Sequence, residues 1–99
     1  MKFATKGIYI TNGIKASIDE NEISASWIQQ CIAKHFNNEG EECSQDNRSN
    51  AQAIKRKDGR VFSVFNKDNN KIYIITDGLH LADEYAEYPM TTVMFPEEY

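Results

Sequence analysis

Apolar and polar residues alternate with a period of two in several stretches of the chain, a pattern that predicts half-buried β-strands. Residues 60–66 and 71–76 have this pattern, and the turn-forming residues 67–70 between them predict a β-hairpin. Residues 90–95 alternate in the same way before Pro96, which lacks the N–H group that a sheet needs and predicts the end of a last strand.

Two other stretches have apolar residues at helical spacing together with candidate capping residues. Residues 20–36 predict the first helix, with Asp19 as its N-cap and Glu22 three residues later as its capping-box partner. The apolar-face positions of this helix are Ile23, Trp27, Ile28, Cys31, Ile32, His35 and Phe36. Residues 44–57 predict the second helix, which begins at Ser44 and ends in the cations that the helix macrodipole favours there.

The chain also has a predicted strand at residues 7–11, which the turn dipeptide Asn12-Gly13 would close. The fold class that follows is α+β: a small antiparallel β-sheet of three to four strands packed against two α-helices. A chain of 99 residues supplies one hydrophobic core, so we expect residues 1–99 to form a single domain. Neither a signal peptide nor a run of roughly 18 apolar residues is present, which predicts a cytoplasmic protein.

Charged residues are segregated along the chain, although the net charge is only −4. Residues 19–46 are mainly acidic, residues 47–71 are mainly basic, and residues 77–99 carry six acids with no Lys or Arg. One interpretation is that these blocks face one another in the fold or lie on solvated faces. The other is that acidic surface binds a basic partner, because complementary potentials increase encounter rate and specificity.

Three residues suggest a structural zinc site. Cys31 and His35 are four apart on the predicted first helix and share one face, and Cys43 follows eight residues later. Asp46 or His80 could supply the fourth ligand of a tetrahedral site. The alternative is that Cys31 is a buried apolar residue of the core and His35 a surface residue at the helix end.

The late loop is a candidate contact surface. Its acidic and aromatic residues alternate: Asp83, Glu84, Tyr85, Glu87 and Tyr88. Carboxylates in a loop could in principle act as acid and base, but Tyr is enriched at protein interfaces, which favours partner binding. No phosphate-binding glycine loop, metalloprotease helix or Ser-His-Asp pattern is present, so we do not expect an enzyme.

Several short motifs resemble a family of small uncharacterised proteins from phages, plasmids and other bacterial mobile elements, in a match that extends from His35 to Tyr99. The matching elements are His35, residues 37–40, Cys43, Asp46 with Asn50, residues 63–65, residues 74–76, and the Thr-Thr-Val-Met-Phe-Pro-Glu-Glu-Tyr segment at 91–99. Asn37-Asn38-Glu39 stands where the family has Gly-Asp-Trp, and residues 78–89 form an enlarged loop. The resemblance implies a mobile-element protein that acts in a bacterial host cell, a class that includes anti-CRISPR inhibitors.

The leading hypothesis is therefore an anti-CRISPR protein that binds a CRISPR effector nuclease and blocks nucleic-acid loading with acidic surface and the Tyr-rich loop. On this hypothesis the domain binds a protein, and direct nucleic-acid binding is not expected. The first alternative is a nucleic-acid-binding accessory protein that uses Arg48, Lys55, Arg56, Lys57 and Arg60. A zinc-dependent hydrolase is the second, and would need an open coordination position and a nearby base.

Overall fold

The computed structural model describes residue 3 and residues 5–40, 44–57, 59–81 and 89–99, with side chains described outside residues 44–47. The order of elements is β1 (Gly7–Ile10), α1 (Asn12–Asp19), α2 (Ala25–Phe36), α3 (Ser44–Arg56), β2 (Val61–Lys67), β3 (Asn70–Asp77) and β4 (Met90–Met94). Two short 3-10 turns, Leu79–Leu81 and Pro96–Glu98, flank β4. The α+β class is confirmed.

The four strands form one sheet in the order β1-β4-β3-β2. The predicted hairpin is confirmed, because β2 and β3 pair antiparallel from Val61 opposite Thr76 to Lys67 opposite Asn70. The last strand is also confirmed and lies antiparallel to β3. However, β1 lies parallel to β4, so the sheet is mixed and the prediction of a purely antiparallel sheet is wrong.

The reason for this difference lies at the end of β1. The Thr11 hydroxyl accepts a hydrogen bond from the backbone N–H of Ile14 at 3.4 Å and caps α1. Asn12 and Gly13 therefore form the first turn of a helix instead of a β-turn, and the chain leaves the sheet. A strand that is followed by helices can pair parallel with a later strand, which a tight hairpin does not allow.

The predicted helix at residues 20–36 is also partly wrong, because the helix in this region, α2, begins only at Ala25, and a separate helix, α1, ends at Asp19. Asn21 has a left-handed φ of 59° and separates α1 from α2. Ser24, and not Asp19, caps α2, since its hydroxyl accepts from the N–H of Trp27 at 3.3 Å. With α3, whose range agrees with the prediction, the described residues contain three α-helices instead of two.

The hydrophobic core lies between one face of the sheet and the helices α1 and α2. Its buried members are Ile14, Ile23, Trp27, Ile28, Cys31, Phe65, Ile72, Ile74 and Val93. Each large side chain of this kind contributes roughly 1.5–3 kcal/mol when it is removed from water. The described helices include none that is long and apolar enough to cross a membrane.

Helix α3 packs beside β2, which is an edge strand of the sheet. The buried Asn50 amide donates to the Phe62 carbonyl at 2.6 Å, and its oxygen accepts from the Phe62 N–H at 2.9 Å. One side chain thus pairs both main-chain groups of Phe62, as a neighbouring strand would. Edge strands otherwise present such groups as a template for pairing with another chain.

Candidate functional site

His35 is fully buried and forms hydrogen bonds with both of its ring nitrogens. Nδ1 lies 2.7 Å from the Ser63 hydroxyl, and Nε2 lies 2.8 Å from the Thr76 hydroxyl. The Thr76 hydroxyl contacts that of Thr91 at 2.7 Å, and Thr91 donates to the Thr5 hydroxyl at 2.9 Å. These five side chains form a continuous chain of hydrogen bonds, the hydroxyl chain, inside the protein.

Counting protons along the hydroxyl chain assigns the tautomer of His35. The single proton of the Thr5 hydroxyl is shared between the main-chain carbonyls of Gly7 and Pro89, at 2.8 and 2.9 Å. A hydroxyl has one proton, so Thr91, which donates to Thr5, must accept from Thr76. Thr76 must then accept from His35, which places the imidazole proton on Nε2 and leaves Nδ1 to accept from Ser63.

The neutral form of His35 fits this assignment. Burial lowers the pKa of His35 from 6.5 to about 4, because the imidazolium would lose its hydration inside the fold. The rings of Phe3 and Phe36 lie 5.3 and 5.6 Å from the imidazole and shield it further. Ser63 is also buried, so a substrate in solution cannot reach its hydroxyl in the folded protein.

The other predicted zinc ligands are not brought together in the described structure. Cys31 is buried in the hydrophobic core, whereas His80 is exposed in the Leu79–Leu81 turn. Asp46 belongs to α3, where its side chain is not described, and Cys43 lies outside the described residues. The described residues contain no group of three or more His, Cys, Asp or Glu side chains that could hold a metal ion.

The geometry of His35 therefore matches a histidine buried in the protein. The alternative to the zinc site had placed His35 on the surface at the helix end, and in this respect it is wrong. A metal bound by His35 would have to displace Ser63 or Thr76 from a ring nitrogen. Zinc binding stays a prediction, and elemental analysis of the untagged protein and of Cys43→Ala tests it.

The predicted contact loop, with Asp83, Glu84, Tyr85, Glu87 and Tyr88, lies outside the described residues. Its role in partner binding stays a prediction.

Acidic residues from separate segments meet at two adjoining surface grooves. A groove of about 390 Å³ is lined by Glu22 and Glu97, and one of about 570 Å³ by Glu22 and Asp68. Asp19 and Glu20 precede this site at the end of α1, and all five carboxylates are exposed. Asp19, Glu20, Glu22, Asp68 and Glu97 are called the acidic corner below. Lys67 and Lys71 also line the grooves, so the corner is acidic in net charge only.

A different surface combines aromatic rings with an arginine. The rings of Phe62 and Tyr73 are tilted against each other with centroids 4.8 Å apart, and Tyr99 meets both edge-on at 6.0 and 6.1 Å. The Arg60 guanidinium carbon lies 5.4 Å from the Tyr99 ring centre and 5.9 Å from that of Phe62. Arg60 also donates a hydrogen bond to the Tyr99 hydroxyl. Arg60, Phe62, Tyr73 and Tyr99 are called the aromatic–arginine surface below.

Arg60 of the aromatic–arginine surface and Asp68 of the acidic corner lie at opposite ends of β2, whereas Glu97 and Tyr99, one from each set, are two residues apart. Arg60 directly precedes this strand and Asp68 directly follows it. A strand rises about 3.3 Å per residue, so these two backbone positions are separated by roughly 26 Å. Lys67 and Lys71 of the basic block line the same grooves as Glu22 of the acidic block, so parts of the two blocks do face one another.

Comparison with known protein families, with curated protein sequences and with solved structures found no match.

Proposed function

We propose that this chain is a mobile-element inhibitor of host defence, specifically an anti-CRISPR protein that binds a CRISPR effector nuclease and blocks nucleic-acid loading. The observation that carries the proposal is the acidic corner, where exposed carboxylates from three segments of the chain surround two adjoining grooves. Such effectors hold nucleic acid in a positively charged channel, which offers a complementary surface to these carboxylates.

Two further points support the proposal. The resemblance to small mobile-element proteins supplies the biological setting. The grooves also offer more than charge, because Trp27 is among the residues that line the larger one, and Phe95 and Pro96 line the smaller one. Apolar contact area beside charged groups is typical of protein interfaces, in which charges set orientation and aromatic residues supply binding energy.

The test is a cleavage assay with purified candidate effectors. Added protein is expected to co-elute with one effector and to prevent cleavage of target DNA when it is mixed in before the nucleic acid. The variant Glu22→Gln/Asp68→Asn/Glu97→Gln is expected to inhibit more weakly, mainly through slower association that is less sensitive to salt.

A matched control removes three charges from the basic segment instead, as Lys55→Gln/Arg56→Gln/Lys57→Gln, and is expected to inhibit as the wild type does. The proposal is wrong if the wild-type protein neither binds an effector nor reduces cleavage. It is equally wrong about the surface if the acidic-corner variant inhibits as strongly as the wild type.

A further inference from the structure

The aromatic–arginine surface faces away from the hydrophobic core. Side chains alternate between the two faces of a sheet, so Phe62 and Tyr73 lie on the face opposite to Phe65 and Ile72. Phe62 and Tyr73 are half-buried and Tyr99 is 60% exposed. Aromatic ring surface is therefore accessible beside the first residues of β2.

The contacts of Arg60 indicate which chemical groups can bind to the aromatic–arginine surface. Its guanidinium is planar and cationic, and it lies over the rings of Phe62 and Tyr99 at distances typical of cation–π contacts. A nucleic-acid base is likewise a flat π system, and bases stack both on aromatic side chains and on guanidinium planes. The surface thus offers two kinds of stacking partner at one place.

Exposed cations continue from this surface onto α3. Arg48, Lys55, Arg56 and Lys57 are all exposed. Lys57 is three residues from Arg60, so their Cα atoms are at most roughly 11 Å apart. We call these four cations the basic stripe.

We propose that the aromatic–arginine surface and the basic stripe together bind single-stranded nucleic acid. The basic stripe supplies cations for backbone phosphates, and Tyr99, Phe62 and Arg60 supply the stacking surface for one or two bases. Exposed carboxylates near this surface oppose such binding, since Glu97 and Glu98 directly precede Tyr99 and Asp77 follows Thr76, the strand partner of Val61. The cations of the basic stripe must outweigh them. This inference goes beyond inhibitor function and does not depend on it.

Single strands fit this surface better than a duplex does. In a duplex the faces of the bases are stacked on one another, so the rings of the aromatic–arginine surface would have no base to contact. An acidic peptide could pair with the cations, but its carboxylates have no complementary interaction with the ring faces. Stacking is therefore the property that separates this proposal from simple charge attraction.

The experiment measures fluorescence anisotropy of labelled single-stranded RNA and DNA of about 15 nucleotides, and of the matching duplexes, with the protein alone. Single strands are expected to bind more tightly than duplexes. Tyr99→Ala is expected to weaken single-strand binding on the order of tenfold, whereas Tyr99→Phe keeps the ring, loses only the hydrogen bond from Arg60, and should bind nearly as tightly as the wild type.

The charge contribution is tested with two variants that lose the same number of cations. Each phosphate contact with a single strand contributes roughly 0.7 to the slope of log affinity against log salt. Loss of three such contacts in Lys55→Gln/Arg56→Gln/Lys57→Gln is therefore expected to reduce the slope by about 2. The control, Lys6→Gln/Lys15→Gln/Lys67→Gln, removes cations elsewhere and should leave the slope nearly unchanged.

Four outcomes would overturn the proposal: no binding at low salt, equal binding of duplex and single strand, equal binding by Tyr99→Ala and Tyr99→Phe, or equal slopes for the two charge variants. Displacement of the labelled strand by polyglutamate as efficiently as by unlabelled strand would show an acidic-protein site instead. Circular dichroism of each variant confirms that a loss of binding is not a loss of fold.

Discussion

Asn50→Ala should cost more stability than any substitution of an exposed residue on α3. The substitution removes both hydrogen bonds to Phe62 and leaves a main-chain N–H and a C=O at the sheet edge without their partners. Asn50 is only 3% exposed, so water replaces these bonds poorly. A buried group without its partner costs about 1–3 kcal/mol, which gives roughly 2–6 kcal/mol for the pair.

That loss is a large share of the 5–15 kcal/mol expected for a domain of this size. Urea unfolding followed by circular dichroism measures it, with the exposed Gln52→Ala on the same helix as control. With a slope of roughly 1–2 kcal/mol per molar urea, the midpoint of Asn50→Ala should fall by about 2 M and that of the control by much less. A fall of similar size in both variants would refute the pairing of Asn50 with the strand edge.

Asn50→Asp separates the two hydrogen bonds by pH. One carboxylate oxygen can still accept from the Phe62 N–H, but the other faces the Phe62 carbonyl, to which only a protonated carboxyl can donate. The fold should therefore raise the pKa of Asp at position 50 above its ordinary value of about 3.9. Relative to the wild type, this variant should be least stable near pH 7 and should recover as the pH falls toward 4. A difference in unfolding free energy that does not change with pH would contradict the assigned geometry.

Three further predictions concern the core and the helix caps. The pKa of His35 is lowered from 6.5 to about 4, so its contribution to stability is complete above pH 6.5 and is lost as the pH falls through that window. The loss is about 3 kcal/mol. Urea unfolding at several pH values should therefore show that the unfolding free energy declines more steeply with falling pH for the wild type than for His35→Gln. Parallel declines would contradict the lowered pKa of His35. Thr76→Val leaves the Nε2 proton of His35 without an acceptor and should lower the unfolding free energy by about 1–3 kcal/mol. Thr76→Ser keeps the hydroxyl and should lose less stability. Thermal unfolding of both variants measures the difference, and equal losses would contradict the assigned tautomer. Ser24→Ala should cost about 1 kcal/mol as the loss of an N-cap, while Asp19→Ala should be nearly neutral in the same assay, and the reverse order would restore Asp19 as the cap.

The period of two along residues 60–66, 71–76 and 90–95 was sufficient to predict three strands and the hairpin. Those strands are held by local pairing and by the burial of alternate side chains, both of which the sequence displays directly. The first strand was predicted too, but its parallel pairing was not. That pairing depends on the path of the chain after Thr11. Thr11 caps a helix instead of preceding a β-turn, and Ser24 instead of Asp19 caps the next helix.

The prediction for His35 shows what the spacing of residues along a helix can indicate and what it cannot. A His four residues after a Cys on a helix suggested a metal ligand, because spacing identifies residues that share a helix face. It does not identify the strand residues that the face will meet. A signal was nevertheless present: Ser63, Thr76 and Thr91 occupy positions on the same sheet face as the apolar core residues, where hydroxyl groups need buried partners.

The hydroxyl chain also restricts how this protein can be recombined with relatives. Its members, at positions 5, 35, 63, 76 and 91, come from distant segments, yet each proton position depends on the next. A crossover at any point between positions 5 and 91 would separate some members from the others. Unless the incoming segment carried matching hydroxyls, the chimera would bury a donor without an acceptor or an acceptor without a donor. Segment exchange should therefore succeed when all five positions are transferred together. In a library of shuffled chains, the folded members should carry these five positions from the same parent.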